Sequence, residues 1–155
     1  MEKMNIEFMN AALLEAKKAG KLGEVPIGAI IVKDNKIISK GQNKRESKKL
    51  ATGHAEIYAI NKACKKLKSW RLEDCDIYVT LEPCLMCLGA IINARINNLY
   101  FGSFDDKRVD KPSSALNLAV NNGLNHNLKI EGGILEEDCK KLIKEFFYNK
   151  RAQIE

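Results

Sequence analysis

Two short stretches, His54-Ala55-Glu56 and Pro83-Cys84-Leu85-Met86-Cys87, restrict what this chain can fold into more than any other feature. One imidazole and two thiols are soft ligands that suit Zn2+, and three protein ligands leave a fourth tetrahedral position open. A closed structural site would need a fourth ligand, so the open position points to a catalytic metal. Glu56, two residues beyond His54, is a mobile proton carrier of the kind that a metal-activated water requires. Cys84 follows His54 by 30 residues, so the fold must bring two distant segments together. Pro83 suits a helix start, which sets Cys84 and Cys87 in a first helical turn, where the positive helix end favours thiolates.

Each half is less specific alone. A His-x-Glu can be no more than a helix that begins with a histidine, and a Cys-x-x-Cys can be a redox pair or half of a structural zinc site. The other candidate ligands are Cys64, Cys75, Cys139 and His126, none of them in a second paired motif. Cys64 and Cys139 fall on apolar helix stripes and read as core thiols. The two halves together read as a hydrolytic zinc site.

At 155 residues the chain is expected to be one domain, 1–155, long enough to bury a core without staples. No apolar run reaches membrane-spanning length, and Met1–Asn10 mixes charge with helical spacing, so neither a membrane partner nor a signal peptide is expected. Five cysteines, an odd number without secretory context, suggest a reducing cytoplasm. The net charge of +6 gains meaning from its placement: Lys44, Arg45, Lys48 and Lys49 precede the histidine, and Lys140, Lys141, Lys144, Lys150 and Arg151 lie towards the end.

Along the chain, Ile6, Met9, Leu13 and Ala16 mark one helix face, with Gly20 and Gly23 as stops. Val25 to Val32 reads as a buried strand, Asp34-Asn35 as a turn, and Lys36 to Ser39 as an antiparallel return. Gly28 leaves room for close backbone approach. Thr52 is the expected N-cap of a helix starting near His54, with Ile57, Ile60, Cys64 and Leu67 as its buried stripe. Asp76–Leu81, Leu99–Gly102 and Leu128–Ile130 read as further strands, and Ala115–Val120 as a short helix. A last helix begins near Leu135, with Cys139, Leu142, Ile143, Phe146 and Phe147 on its apolar face. Alternating strands and helices imply a sheet that is parallel over much of its width and covered on both faces. Asn43, in the basic loop, offers an amide that can both donate to and accept from a base edge.

These residues resemble a known family. His54-Ala55-Glu56, Leu81-Glu82-Pro83-Cys84-x-Met86-Cys87 and Gly89-Ala90-Ile91-Ile92-x-Ala94-Arg95-Ile96 are similar to the bacterial tRNA-specific adenosine deaminases, within the cytidine-deaminase-like superfamily. So are Val25-Pro26-Ile27-Gly28-Ala29, Phe101-Gly102, Asp105, Lys107, Asn125-His126 and Phe146-Phe147-x-x-Lys150-Arg151. The resemblance implies a three-layer α/β fold with a mixed sheet of about five strands flanked by helices. It implies one Zn2+ per subunit on His54, Cys84 and Cys87, with Glu56 as the catalytic proton shuttle. It further implies substrate contacts at Asn43, Ile27, Ala55, Asp105, Phe147, Lys150 and Arg151, a tRNA anticodon stem-loop as substrate, and a homodimer. The sequence departs from the family pattern at Gly53, where alanine is usual. It departs again at Arg108-Val109-Asp110-Lys111-Pro112-Ser113, which replaces a small, glycine-rich stretch.

The activity so implied is hydrolytic conversion of adenosine to inosine at the wobble position. The target base must leave its stack, which costs less in a loop than in a duplex. A free guanine or cytosine-nucleotide deaminase would use the same zinc and glutamate, but a small neutral base needs no basic rim and tail. A non-catalytic RNA-binding protein on the same fold would be expected to lack the shuttle carboxylate, and Glu56 is present.

Overall fold

The computed structural model describes residues 2–107, 111, 114–119 and 126–154. Apart from Lys111, the 108–113 departure lies outside them, as do Val120 and Asn125. Ten elements follow in order: α1 (Glu2–Lys21), β1 (Gly28–Lys33), β2 (Lys36–Gln42), α2 (Ala55–Leu67), β3 (Cys75–Leu81), α3 (Leu85–Asn93), β4 (Asn98–Ser103), α4 (Ala115–Ala119), β5 (Lys129–Glu131) and α5 (Glu136–Ile154).

Side chains of a strand alternate between faces, and here both faces are apolar. Ala29, Ile31, Ile77, Val79, Leu99 and Phe101 join Ala59, Ile60 and Ala63 of α2 and Leu88, Ile91 and Ile92 of α3 in one core. Ile30, Val32 and Tyr78 turn the other way, onto Met9, Ala12 and Leu13 of α1 and Cys139 of α5. The result is the expected three-layer α/β arrangement.

The sheet order is β2-β1-β3-β4-β5. Asp34 and Asn35 both take positive φ (50° and 61°), and the tight turn they make pairs β1 with β2 antiparallel. β1 also pairs antiparallel with β3, whereas β3–β4 and β4–β5 are parallel. The parallel half is therefore confined to β3, β4 and β5, less of the sheet than the alternation of elements suggested. Periodicity carries no information about strand direction.

Several boundaries move for local reasons. β1 starts at Gly28 and not Val25, because Pro26 has no N–H to give a ladder. β2 continues to Gln42. Ile6 is 44% exposed, and the buried face of α1 is Met9, Ala12, Leu13, Ala16 and Ala19. The N-cap of α2 is His54, not Thr52, and its side chain makes no capping bond. The buried stripe of α2 is Ala55, Glu56, Ala59, Ile60 and Ala63, with Ile57, Cys64 and Leu67 only half-buried. Small residues win there because α2 lies hard against β2: a Cβ on Gly41 would stand 2.2 Å from the Ala55 carbonyl oxygen. Gly28 has the same function under α1, where a Cβ would stand 2.1 Å from the Ala12 oxygen. Phe147 is 42% exposed and does not belong to the buried face of α5. Among the described residues no helix is long and apolar enough to cross a membrane.

Candidate metal centre and its pocket

The N-termini of α2 and α3 meet at one end of the sheet. His54 caps α2 and Cys84 caps α3, both in extended backbone, and Cys87 lies in the first turn of α3. The imidazole cannot cap its own helix because Nδ1 is turned to the thiols, 3.7 Å from Cys84 Sγ and 3.4 Å from Cys87 Sγ. The three ligand atoms lie within 4.8 Å of one another, a group able to hold a metal ion. A tetrahedral ion with metal–sulfur bonds of about 2.3 Å and metal–nitrogen bonds of about 2.0–2.1 Å has sulfur–nitrogen edges of roughly 3.6 Å, so the residues fit.

The electrostatics agree with that donor set. The neighbouring Cys87 thiol holds Cys84 well below the ordinary thiol range, burial opposes this, and His54 adds to the lowering. Cys87 is pushed up by the same contact and by burial, so the pair shares a proton that a cation would displace. The contact with Cys84 raises His54 against the effect of burial. Glu56 is 4% exposed, and burial pushes its carboxyl above the ordinary range while the backbone and His54 pull it back. A carboxyl so poised exchanges its proton closer to neutral pH than a solvated one does.

A cavity of about 240 Å³ opens beside these groups, lined by Glu56, His54, Cys84, Asn43, Ile27, Ala55 and Asp105, together with Glu24, Arg45 and Glu82 among others. The expected contacts Asn43, Ile27, Ala55 and Asp105 therefore converge with the ligands and Glu56. Asn43 is almost fully buried. Its Nδ2 donates to the Val25 carbonyl at 3.2 Å, and its Oδ1 accepts from the Arg45 N–H at 3.1 Å. One N–H and one lone pair of the amide remain for a ligand. A second cleft shares Val25, Arg45, Leu81 and Asp105 with the first and is walled by Phe104, Ile143, Lys144 and Phe147. Lys150 and Arg151 are exposed and line neither cleft; Lys150 Nζ lies 5.8 Å from the Phe146 ring centroid.

The sequence does not single out two buried carboxylates of the pocket as site residues. Glu24 is 1% exposed and accepts from the backbone N–H groups of Glu46 (3.1 Å) and Ser47 (2.7 Å). Burial opposes its ionisation, yet bonds from Ser47 and Glu46 outweigh this and hold the carboxyl below its ordinary range. Glu82 is 2% exposed and accepts from the N–H groups of Asp105 (3.0 Å) and Ala115 (2.7 Å). The available signal was a carboxylate flanked by apolar residues and proline, with no local route to water.

Comparison with known proteins gives a consistent result. The chain matches the MafB19-like deaminase family over residues 4–151. It is 42% identical over 146 residues to a tRNA-specific adenosine deaminase of Bacillus subtilis, covering 94% of this chain and 90% of the relative. It is 46% identical over 147 residues to the tRNA-specific adenosine deaminase of Aquifex aeolicus, covering 95% and 96%. Among solved structures, one from a study of A-to-I editing by tRNA:A34 deaminases at the wobble position superposes with a TM-score of 0.81 at 38% identity, covering 88% of this chain and 98% of that one. A guanine deaminase from Bacillus subtilis superposes with a TM-score of 0.62 at 38% identity, covering 71% of each chain.

Proposed function

The chain belongs to the tRNA-specific adenosine deaminases, and from that premise we propose that it hydrolyses adenosine to inosine at the wobble position of a tRNA anticodon loop. The observation that carries this reading is one cavity in which the buried carboxyl of Glu56 stands beside the His54–Cys84–Cys87 donor set. Guanine deaminases share the fold, one at 38% identity over 71% of the chain and one from Nitrosomonas europaea at 20% identity over 91%, against 42% and 46% identity over 94% and 95% for the two tRNA-specific relatives.

His54, Cys84 and Cys87 would hold one Zn2+ per subunit. Bound there, it would supply Lewis acidity that lowers the pKa of a water towards about 7. Glu56 takes a proton from the attacking water and delivers it to the ring nitrogen beside C6, which makes C6 electrophilic. The C6–oxygen bond forms, and Glu56 passes the second proton to the departing amine. The C6–nitrogen bond breaks, and ammonia and inosine result. Asn43 holds the base edge through its remaining donor and acceptor, and Ile27 and Ala55 present apolar surface to the ring. Asp105 and Phe147 contact the nucleotides beside the target, and Lys150 and Arg151 contact phosphates further along. Burial keeps Glu56 near proton exchange, and general acid–base transfer of this kind contributes about 100- to 10,000-fold.

A homodimer fits the exposed surface next to the site. Leu85 is 67% exposed and Met86 36% exposed on α3, with Leu50 (47%) on the basic loop. Apolar side chains beside a site that must grip a polymer are suited to a second copy of the chain. The reading also carries a cytoplasmic location, where tRNA is found.

The test uses an anticodon stem-loop with a wobble adenosine, free adenosine, free guanine and cytidine at equal concentration, followed by inosine and ammonia release. The stem-loop should react while the small substrates react poorly, since they lack the binding energy of the flanking backbone. Added salt should slow the stem-loop reaction below saturation. Rapid, salt-insensitive turnover of guanine with an inert stem-loop would replace this reading with the small-molecule one.

A further inference from the structure

The two rims of the catalytic cavity each hang from a buried carboxylate. On one side, Glu24 accepts from Glu46 and Ser47, residues 22 and 23 positions further on. This ties the basic loop to the chain just before β1. The neighbouring carbonyl of Val25 holds the Asn43 amide, and Asn43 in turn holds Arg45. On the other side, Glu82 sits between the end of β3 and Cys84. One of its oxygens accepts from the Asp105 N–H and the other from the Ala115 N–H, so a single side chain ties both residues to the end of β3.

Burying a carboxylate is costly unless donors compensate it, and replacing a buried charge with apolar residues is often neutral or stabilising for a fold. The chemistry of these two side chains matches a narrower task. A carboxylate offers two acceptor oxygens and no donor, whereas an amide of the same size offers one of each. Among the described residues each carboxylate receives a backbone N–H on each of its two oxygens, a pattern that an amide of the same size cannot match. Each also joins a rim to a strand end beside the candidate site: Glu24 leads into β1, and Glu82 follows β3 and precedes Cys84. Holding the rim groups that grip the base in a binding-competent arrangement needs such a rigid link.

We propose that Glu24 and Glu82 are positioning residues for the substrate base. Glu24 fixes the Asn43–Arg45 rim and Glu82 fixes the Asp105 rim beside the helix starts that carry Glu56, His54, Cys84 and Cys87. This rests on the adenosine-deaminase reading and adds to it how the two rims are held in register. Neither side chain touches the reacting atoms in this scheme. Their loss should therefore appear in substrate recognition before it appears in chemistry.

The test compares Glu24→Gln and Glu82→Gln with wild type on the wobble-adenosine stem-loop, measuring kcat, KM, zinc content and Tm. Ser39→Ala serves as a control, because Ser39 Oγ donates a buried bond of 2.7 Å to the Ala59 carbonyl, away from the rims. Wild-type activity on the stem-loop is checked first; an inert wild type would sink the deaminase reading itself. With an active wild type, both Gln variants should keep about one zinc per chain. Their KM should rise roughly ten- to hundredfold, the range for loss of a charge-assisted bond, while kcat stays within about threefold. Ser39→Ala should lower Tm and leave KM alone. If a Gln variant loses its zinc or does not fold, the matching Asp variant, which keeps both acceptors on a shorter arm, decides the matter by the same KM-against-kcat split. KM shifts no larger than those of Ser39→Ala, or equal falls in kcat with KM unchanged, would overturn the proposal.

Discussion

Glu56 and Cys87 are both buried against the same imidazole, yet removing their functional atoms should have unlike consequences. Under the proposed mechanism, Glu56→Ala takes away the proton carrier and no ligand atom, so metal analysis should still find about one zinc per chain while inosine formation disappears. Cys87→Ala removes a ligand and should lose both metal and turnover. An empty site in Glu56→Ala would mean that the carboxylate had been given the wrong role. Glu24 makes a separate prediction about pH. Its folded pKa lies below its unfolded value, so its contribution is present above about pH 4.3 and is lost as pH falls through the lowered folded value. In urea unfolding of metal-free proteins, wild type should exceed Glu24→Gln by about 1–3 kcal/mol at neutral pH. That gap should narrow steadily below about pH 4; a constant gap would show that the carboxylate is not the group being titrated.

At the scale of elements, the site depends on how closely two helices approach the sheet. Gly28 and Gly41 permit this, since a Cβ on either would overlap the backbone of α1 or α2. Neither contact is with a flexible side-chain tip, so the helix itself would have to move. Gly28→Ala should therefore cost about 3 kcal/mol, seen as a Tm lower by roughly 10 °C. Gly89 is the contrast: a Cβ there meets nothing within 4 Å, and Gly89→Ala should hold or raise Tm in the isolated subunit. Equal losses at both positions would remove close packing as the explanation. The same packing explains why alanines, and not the larger Ile57 and Leu67, form the inner stripe of α2.

At the scale of the molecule, the positive charge at the end of α5 lies away from the Glu56 cavity, whereas Arg45 lines it. Lys150 and Arg151 are exposed near the end of α5, outside the two clefts around the reacting centre. Deleting residues 149–155 leaves Phe146 half-buried and Phe147 at the second cleft, so folding and zinc content should survive. Stem-loop affinity should fall, and the slope of log K against log salt should flatten by roughly 1.5, the share of two phosphate contacts. An unchanged slope would make this part of the helix a solvated face without a role in binding.

The residue types of the site were legible in the sequence because coordination chemistry restricts them. Only a few side chains bind a soft cation, and Cys84 and Cys87 must sit within one helical turn to share it. The two-faced core was legible for a similar reason: Ile30 and Ile31 cannot both be buried unless both sides of the sheet are covered. The sheet order was not legible, since alternation along β1 is the same whether its neighbour β3 runs parallel or antiparallel. Nor was the exposure of Phe147, because helical spacing alone does not say where the apolar stripe of α5 ends. The bonds of Glu24 and Glu82 span 22 to 33 residues and leave no local pattern. Tertiary structure alone decided those contacts, because a buried carboxylate finds its donors only after the sheet has brought distant loops to its side.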